Sequence, residues 1–315
     1  MKALVITDFG GPDLFEIRDL PVPEPGPRDI LVKVMATALN PVDYKIRRSG
    51  RWAGLTFPAV LGYDVAGIVE KTGVGVKRFK PGDRVFYTPV IHGSHGTYAE
   101  YHVVDESIVA FMPGNLTFEE AAGLPLAGCT AWECITFMNI IPGQTVLIHA
   151  AAGGVGSLAV QMAKAFGATV IGTCSGKNTD FVKSLGADHV IDYRKEDFAE
   201  RTLALTGDNG ADSILDTVGG ETLEQSFRAL KPYGHLANTV NPTGNFRAAY
   251  HRNPIVYFCY MQRSFEKIEQ IRVMAEKGLL RPIIDSVITL DEVPAAHTRL
   301  EAGGVRGKII VRVSD

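Results

Sequence analysis

A regular alternation of apolar strands and short helices, beginning near Thr145, constrains the fold of this chain more than any other feature. Each strand is a continuous apolar run, as expected when helices cover both faces of a sheet, and Gly167 and Gly186 end two of the helices. Such an alternation predicts right-handed βαβ units on a doubly wound parallel sheet, an α/β fold. The predicted elements are strand Thr145–His149, helix Val155–Phe166, strand Thr169–Thr173, helix Thr179–Leu185, strand His189–Tyr193, helix Phe198–Leu205, strand Ser213–Val218, helix Glu221–Lys231 and strand His235–Val240.

The segments on either side of this alternation are β-rich and rich in turns. No helical period persists before Thr117, which is a predicted cap for a helix that begins at Phe118. The predicted strands before the alternation are Lys2–Ile6, Ile30–Ala36, Val65–Glu70, Arg84–Tyr87 and Tyr98–Val104. The elements predicted after it are strand Ile255–Tyr260, helix Ser264–Lys277 and strands Val287–Leu290 and Lys308–Val313. A length of 315 residues fits about two domains. Because the β pattern returns at the end, we predict a β-rich domain of residues 1–121 and 263–315, with an α/β domain of residues 122–262 inserted in it.

Charge and composition exclude several classes of protein. Lysine and arginine number 32 against 35 acidic residues, and no long basic run occurs, so no nucleic-acid or membrane partner is predicted. The stretch from Cys134 to Ala163 contains no Asp, Glu, Lys or Arg, but Pro142-Gly143 and a glycine cluster interrupt it, which argues against a membrane span. The N-terminus lacks the apolar core of a signal peptide, and the four cysteines show no paired spacing. We therefore expect a cytoplasmic protein without disulfides.

The first strand of the alternation runs directly into its helix through a glycine-rich loop. Registered on the dinucleotide-binding fingerprint, the loop is Ala151-x-Gly153-x-x-Gly156, with alanine at the first glycine position. Gly153 would let the backbone approach a pyrophosphate, and Gly156 would let the helix pack closely on the strand. The flanking strand and helix provide the context that the fingerprint requires; the alternative is a tight turn that binds nothing. The predicted phosphate-binding residues are Ala152, Gly153, Gly154, Val155 and Gly156.

The end of the second strand indicates which dinucleotide binds. An NAD site places Asp or Glu there to accept from the ribose 2′-hydroxyl, whereas this segment reads Gly172-Thr-Cys-Ser-Gly-Lys177 and has no carboxylate. Ser175 and Lys177 can instead bond and neutralise a 2′-phosphate, and Tyr193 ends the following strand at the same sheet edge. The prediction is NADPH; the alternative is that Lys177 is an ordinary solvated charge. Asn238, near the end of a later strand, is also predicted at the cofactor edge.

Five motifs along the chain carry a family resemblance. In order they are Asn40-Pro-Val-Asp43 with Arg47 and Gly50, Gly62-Tyr-Asp64-Val-Ala-Gly67, Pro81-Gly-Asp-Arg-Val85, Gly96-Thr-Tyr-Ala-Glu100 and the glycine loop. Over essentially its whole length the chain resembles the zinc-independent quinone oxidoreductase branch of the medium-chain dehydrogenase/reductase superfamily. The resemblance implies a GroES-like catalytic domain, an inserted Rossmann-type domain, and a cleft that holds nicotinamide and substrate. It also implies a homodimer in which strand Ile255–Tyr260 pairs with the same strand of the second chain. Thr130 and Lys308 are the cofactor contacts that it implies.

The resemblance also predicts that no zinc is bound. Zinc enzymes of this superfamily have a cysteine where this chain has Asn40, and Gly-His-Glu where it has Gly62-Tyr-Asp64. The chain has no cysteine before Cys129, and a tetrahedral site needs thiolate or imidazole ligands. His92 and His95 are close in sequence, but a histidine pair alone does not make such a site.

Without a Lewis acid, hydride transfer favours acceptors that are already conjugated, such as quinones and enones. Charge then develops on a carbonyl oxygen, which needs hydrogen-bond donors and a proton. The matching family segment lines the cleft, so the predicted catalytic residues are Asn40, Asp43 and Tyr44, with water as the alternative proton donor to Tyr44.

The predicted acceptor site contains Trp52, Asp64 and Tyr250. Enoyl-thioester reductases of the superfamily have a catalytic tyrosine where this chain has Trp52, whose indole is too weak an acid for that role. Trp52 is therefore predicted either to stack on a flat acceptor or to serve as a hydrophobic lid.

These observations support an NADPH-dependent reductase of quinones or enones. The rivals are an enoyl-thioester reductase, an alcohol dehydrogenase-like enzyme, and a non-catalytic NADPH-binding protein.

Overall fold

The computed structural model describes residues 1–314 and divides into two compact units. The first unit contains Met1–Leu126, Arg263–Gly278 and the segment from Pro282 onward, and the second contains Ala127–Gln262 with Leu279–Arg281. The predicted domain boundaries, after residues 121 and 262, lie near these divisions. Residue 315, the last of the predicted β-rich domain, lies outside the described residues.

The first unit consists mainly of antiparallel strands. A small sheet places β1 (Lys2–Ile6) between β2 (Phe15–Asp19) and the short β4 (Ala59–Val60). The larger sheet contains β3 (Asp29–Ala38), β5 (Val65–Thr72), β6 (Arg84–Tyr87), β7 (Tyr101–Asp105), β8 (Ala110–Phe111), β15 (Ile284–Thr289) and β16 (Lys308–Arg312). Its order is β15-β16-β3-β5-β6-β8, and β7 also pairs with β3. The helices of this part are α1 (Pro41–Ser49), α2 (Phe118–Ala122), α9 (Phe265–Glu276) and α10 (Val293–Ala302).

The C-terminal strand β16 positions one polar side chain of the later site. It runs parallel to β15 and antiparallel to β3, with Ile310 opposite Ala38. The backbone N–H of Leu39 donates to the carbonyl oxygen of Ile309 at 3.0 Å. This register brings Lys308, at the start of β16, next to the residues that follow β3.

The second unit is a parallel sheet with helices between its strands. The strands are β9 (Thr145–Ile148), β10 (Thr169–Cys174), β11 (His189–Asp192), β12 (Ala211–Asp216), β13 (Leu230–Asn238) and β14 (Ile255–Phe258). They lie in the order β11-β10-β9-β12-β13-β14, and each neighbouring pair is parallel. The helices are α3 (Pro125–Phe137), α4 (Gly154–Ala165), α5 (Thr179–Ser184), α6 (Phe198–Leu205), α7 (Glu221–Ala229) and α8 (Arg247–Tyr250). Within residues 1–314, no helix combines the length and apolarity that a membrane crossing requires.

A continuous apolar layer fixes the parallel strands in register. Leu147, Ile171, Ile191, Ile214 and Leu236 come from five successive strands of the sheet and share one buried cluster. Burial of this size stabilises each side chain by about 1.5–3 kcal/mol relative to exposure. The α/β fold class with an antiparallel and a parallel unit is confirmed, as is Thr117, whose hydroxyl accepts from the Glu120 N–H at the start of α2.

Two predictions about elements are wrong. The segment before Thr117 was expected to lack helices, yet α1 spans nine residues there. Helix α7 ends at Ala229, and β13 begins at Leu230, earlier than the predicted His235. The sequence Lys231-Pro-Tyr-Gly234 reads as a turn, and Tyr233 does adopt a positive φ of 60°, but the strand continues through it.

Candidate functional site

The glycine loop of the second unit lies where β9 ends and the chain turns into α4. Gly153 caps α4 without a side-chain hydrogen bond. A Cβ atom at Gly156 would lie 2.3 Å from the carbonyl oxygen of Ala150, so only glycine lets the helix pack this closely on the loop. The first N–H groups of a helix have no partner within the helix, and with the helix dipole they favour an anion. This geometry fits the pyrophosphate of a dinucleotide.

The predicted loop residues differ in exposure. Gly153, Gly154 and Val155 are partly exposed and can face a ligand. Ala152 and Gly156 are buried behind them, where the helix meets the strand. Their contacts with a phosphate stay a prediction.

Ser175, Lys177 and Tyr193 lie at the carboxyl ends of two neighbouring strands, as predicted. Cys174, the last residue of β10, pairs with Asp192, the last residue of β11, so the residues that follow both strands lie at one sheet edge. Ser175 is buried, whereas Lys177 and Tyr193 are exposed. The arrangement offers a hydroxyl and an accessible cation to a phosphate, and that role stays a prediction.

Asp192, the last residue of β11, adds a carboxylate at this edge that the residues after β10 alone do not indicate. A Cβ atom at Gly176 would lie 2.5 Å from Asp192 Oδ2. Asp192 Oδ1 accepts a hydrogen bond from the backbone N–H of Arg194 at 3.2 Å. The carboxylate would repel a 2′-phosphate and can accept from a ribose hydroxyl, so it favours NADH as the alternative cofactor. The pairing of β10 with β11 is the signal that would have revealed it.

Asn238 belongs to a buried polar group at the end of β13. Its Nδ2 donates to Asp216 Oδ2 at 2.9 Å, and its Oδ1 accepts from the backbone N–H of Val240 at 3.1 Å. Asp216 Oδ1 also accepts from the N–H groups of Val218 and Gly219, at 2.8 and 3.0 Å. The structure therefore holds Asn238 rigidly at the sheet edge, and its contact with a cofactor stays a prediction.

Thr130 and Tyr250 are the remaining predicted site residues of the second unit. Thr130 lies on α3 and is partly buried. Tyr250 ends α8 with 81% of its surface exposed, and its ring meets that of His251 edge-on at 5.5 Å.

In the first unit, Asn40, Asp64 and Lys308 form a closed, buried cluster. The Lys308 ammonium donates to the carbonyl oxygen of Leu39 at 2.8 Å, to Asp64 Oδ2 at 3.1 Å and to Asn40 Oδ1. Asn40 Nδ2 donates to Asp64 Oδ2 at 2.8 Å and to the carbonyl oxygen of Ala38 at 3.2 Å. The structure thus places Lys308, predicted at the cofactor, with a predicted catalytic residue and a predicted substrate residue.

Two buried carboxyl groups of this region have raised pKa values. Burial raises the pKa of Asp64, against the opposing charge of Lys308. Burial raises the pKa of Asp43 to about 7, against the Asn40 N–H bond and the Lys308 charge. Asp43 Oδ2 accepts from the Asn40 N–H at 2.6 Å and from the hydroxyl of Tyr98 at 2.9 Å. Asp43 therefore titrates near neutral pH.

Tyr44 and Trp52, two further predicted site residues of the first unit, contact groups outside the Asn40, Asp64 and Lys308 cluster. Tyr44 follows Asp43 on α1 and is partly buried; burial and the charge of Glu301 raise its pKa, so its hydroxyl stays protonated. Trp52 is 53% exposed on the turn after α1, and its ring meets that of His92 edge-on at 5.9 Å. The hydrogen bonds seen among residues 1–314 do not link Tyr44 to the Asn40, Asp64 and Lys308 cluster.

The residues of this cluster do not fit a zinc ion. Zinc prefers thiolate and imidazole ligands, whereas Asn40 and Asp64 offer amide and carboxylate oxygens that already hold the Lys308 ammonium. In the part of the chain that the structure describes, no group of three or more His, Cys, Asp and Glu side chains is arranged to hold a metal ion.

Two protein families match two separate parts of the chain. The family described as alcohol dehydrogenase GroES-like domain matches residues 26–114. The family described as zinc-binding dehydrogenase matches residues 185–311.

Curated relatives match over nearly the whole chain. A 2-methylene-furan-3-one reductase of Solanum lycopersicum is 37% identical, covering 99% of this chain and 79% of the relative. A chloroplastic NADPH-dependent alkenal/one oxidoreductase of Arabidopsis thaliana is 35% identical with the same coverage. A quinone oxidoreductase of Pseudomonas aeruginosa is 34% identical, covering 98% of this chain and 99% of the relative.

Solved structures share the fold. An NAD-dependent alcohol dehydrogenase superposes with a TM-score of 0.93 at 34% identity and covers 100% of both chains. The Escherichia coli quinone oxidoreductase in complex with NADPH superposes with a TM-score of 0.90 at 30% identity, over 99% of this chain and 100% of that one. Fold, site and relatives together define an oxidoreductase. The chain belongs to the medium-chain dehydrogenase/reductase superfamily, in its quinone oxidoreductase branch.

Proposed function

We propose that this enzyme uses NADPH to reduce quinones and conjugated enones without zinc. The observation that carries the proposal is the glycine turn between β9 and α4, where Gly156 packs against Ala150, with Ser175 and Lys177 at the end of the adjacent strand. The reduction of alkenals, enones and quinones by relatives at 34–37% identity supports the acceptor class.

The cofactor, when bound, supplies a hydride to an acceptor that conjugation has already activated. The chain's residues orient both partners and provide the proton. The amide protons of Asn40 already bond to Ala38 and Asp64, so an acceptor oxygen would have to compete for them. Tyr44, which stays protonated, and water are the remaining candidates for the proton.

One observation favours a second cofactor, NADH. The Asp192 carboxylate lies beside Gly176, near the place expected for the 2′-group of the ribose. We retain NADPH because Lys177 is accessible and the β10 end itself has no acid. Ser175→Asp should shift preference from NADPH toward NADH by about tenfold, since a second carboxylate repels the phosphate. The matched control is Lys183→Ala, on the exposed part of α5, and equal preference in Ser175→Asp and wild type would contradict the assignment.

Oxidation of NADPH with three acceptors tests the function. The acceptors are 1,4-benzoquinone, 3-buten-2-one and a crotonyl thioester. We expect turnover with the first two in enzyme treated with a metal chelator. Turnover of the thioester alone would make it an enoyl-thioester reductase, and tight NADPH binding without any turnover would make it a non-catalytic binding protein.

The predicted homodimer belongs to this proposal. Strand β14 ends the sheet order of the second unit, and Ile255, Phe258 and Tyr260 on and after it are exposed. An uncovered apolar edge strand is suited to pair with a second copy. The cytoplasmic location stays a prediction from composition.

A further inference from the structure

The turn that precedes α4 begins with a backbone conformation that alanine rarely adopts. Ala150 follows the end of β9 and has a φ of 48°, in the left-handed region that favours glycine. Its carbonyl oxygen accepts a hydrogen bond from the Gly153 N–H at 2.9 Å and is also the oxygen that packs against Gly156. A residue other than glycine stays in this conformation where its surroundings hold it there. The position of the turn therefore depends on what holds Ala150.

His149, the residue before Ala150, is 1% exposed, and both of its ring nitrogens have hydrogen-bond partners. Nδ1 lies 3.1 Å from the hydroxyl oxygen of Thr173 on β10, and Nε2 lies 3.1 Å from that of Ser226 on α7. The ring also meets that of Phe198, the first residue of α6, edge-on at 4.5 Å. The imidazole thus links the end of β9 to a neighbouring strand and to two helices.

The direction of these hydrogen bonds follows from Ser226. Its hydroxyl donates its single proton to the carbonyl oxygen of Thr222 at 2.7 Å, so it can only accept from His149. The ring proton of His149 therefore lies on Nε2, and Nδ1 accepts from the hydroxyl of Thr173. This arrangement requires a neutral imidazole, and burial lowers the pKa of His149 to about 4.

The groups packed against the ring favour its neutral form. The side chains of Thr173, Phe198 and Ser226 carry no charge. The carboxylate of Asp216, at the end of β12, acts on the ring through its charge and opposes the effect of burial. Burial has the larger effect on the pKa, so His149 is uncharged at neutral pH.

Thr173 holds the chain on both sides of Ala150. Its hydroxyl donates to the ring of His149, and its carbonyl oxygen accepts from the Ala151 N–H at 2.9 Å. The His149 N–H in turn donates to the carbonyl oxygen of Leu215 on β12 at 2.9 Å. Because residues 149 and 151 are both bonded to neighbouring strands, the residue between them is held in the left-handed region.

We propose that His149 is a positioning residue of the cofactor site, whose ring, held by Thr173 and Ser226, keeps Ala150 in the conformation that begins the glycine turn. The inference rests on the proposed function, which assigns this turn to the pyrophosphate of NADPH. The ring itself does not touch the cofactor in this role. It fixes the Ala150 carbonyl oxygen and, through the Gly153 N–H that bonds to it, the start of α4.

The first test measures hydrogen–deuterium exchange of the turn without any ligand. Thr173→Val removes the hydroxyl that donates to His149 and nearly keeps the side-chain volume. The amide protons of Ala151 and Gly153 should then exchange about tenfold faster, because the turn opens more often. Thr173→Ser keeps the donor and should exchange within about threefold of wild type. Exchange at the wild-type rate in Thr173→Val would overturn the inference.

The matched control is Thr202→Val, on α6. Thr202 is also fully buried in the second unit, but its hydroxyl oxygen has no hydrogen-bond partner among the described residues. This variant should leave exchange in the turn unchanged. If Thr173→Val does not fold, Ser226→Ala replaces it, because that variant removes the acceptor of the other ring nitrogen.

The second test is NADPH affinity, measured by fluorescence titration. Thr173→Val should weaken NADPH binding by about tenfold, since Ala150 is then free to leave a strained conformation. In an Ala150→Gly background the same substitution should weaken binding by less than about threefold, because glycine adopts positive φ without support. Equal losses in the two backgrounds would show that the ring does not act through Ala150 and would refute the proposal.

Nitrogen NMR of labelled histidine gives a third readout. His149 should be neutral at neutral pH with its proton on Nε2, and a proton on Nδ1 would contradict the hydrogen-bond directions. If wild type does not bind NADPH, the proposed function fails, while the exchange rates and the tautomer still decide whether His149 positions the turn. Faster exchange in Thr173→Val with unchanged NADPH affinity would overturn the role at the cofactor site.

Discussion

At the scale of single residues, Lys308 shows how neighbours in space define a role. In sequence it follows Arg306-Gly307 and resembles a cofactor contact at a turn. In the structure it is the first residue of β16, 5% exposed, and its ammonium is bound by Leu39, Asn40 and Asp64. Burying a charge is costly unless it is paired and hydrogen-bonded, and all three donors of this ammonium have acceptors.

Removing this ammonium should strongly destabilise the fold. Lys308→Met leaves the Asp64 carboxylate buried without its cation, which costs about 3–5 kcal/mol. Lys308→Met combined with Asp64→Asn should recover part of that loss, because the buried charge is removed with its partner. The measurement is the free energy of unfolding in urea at neutral pH.

The control for this prediction is an exposed pair. Arg312 and Glu119 form a salt bridge at 2.9 Å, with half of the arginine side chain exposed. Arg312→Met should cost less than about 1 kcal/mol. Equal losses for Lys308→Met and Arg312→Met would show that the buried cluster contributes no more than a surface pair.

At the scale of elements, Gly156 fixes the distance between α4 and the loop after β9. A Cβ atom there would meet Ala150 backbone atoms at 2.3 and 2.9 Å, and backbone cannot rotate away as a side chain does. Gly156→Ala should therefore shift the start of α4, cost about 1–3 kcal/mol of stability, and weaken NADPH binding by tenfold or more, since the pyrophosphate is expected at that end of the helix.

Unfolding in urea and fluorescence titration with NADPH check this prediction. Gly114→Ala is the matched control, because a Cβ atom at Gly114 has no heavy atom within 4 Å. Retention of wild-type NADPH affinity in Gly156→Ala would remove the argument that this turn is a phosphate site.

The elements also show how much of the fold the sequence predicts. The strands and helices after Thr145 can be predicted from apolar runs and from the glycines that end helices, because the residues that each element buries are marked by the pattern of its own sequence. Helix α1 was missed because its buried face is Asp43, Ile46 and Arg47, of which two are charged. Their partners, Tyr98 and Glu301, are distant in sequence, so no apolar period marks the helix.

The candidate site also has a part that the sequence predicts and a part that it does not. The glycine loop and the residues after β10 were predictable, since each lies within one βαβ unit. The bond between Lys308 and Asn40 joins residues 268 positions apart, and it depends on the register of β16 against β3.

At the scale of the whole molecule, the return of the β pattern after the inserted unit was the decisive sequence signal. The described C-terminal strands β15 and β16 extend the sheet that β3 begins. A strand supplied by the end of the chain completes the sheet around the polar cluster, so we expect the first unit to depend on both ends of the chain for its stability.

The last prediction concerns assembly. If β14 pairs with the same strand of a second chain, sedimentation at micromolar concentration should give twice the chain mass of 34.1 kDa. Charged side chains on an edge strand oppose pairing, so Ile255→Lys combined with Phe258→Lys should give the mass of one chain, since both residues are about half exposed on β14. Val74→Lys, at a position 98% exposed in the first unit, is the control and should leave the mass unchanged. A wild type that sediments as one chain, or a double variant that keeps the doubled mass, would refute pairing through β14.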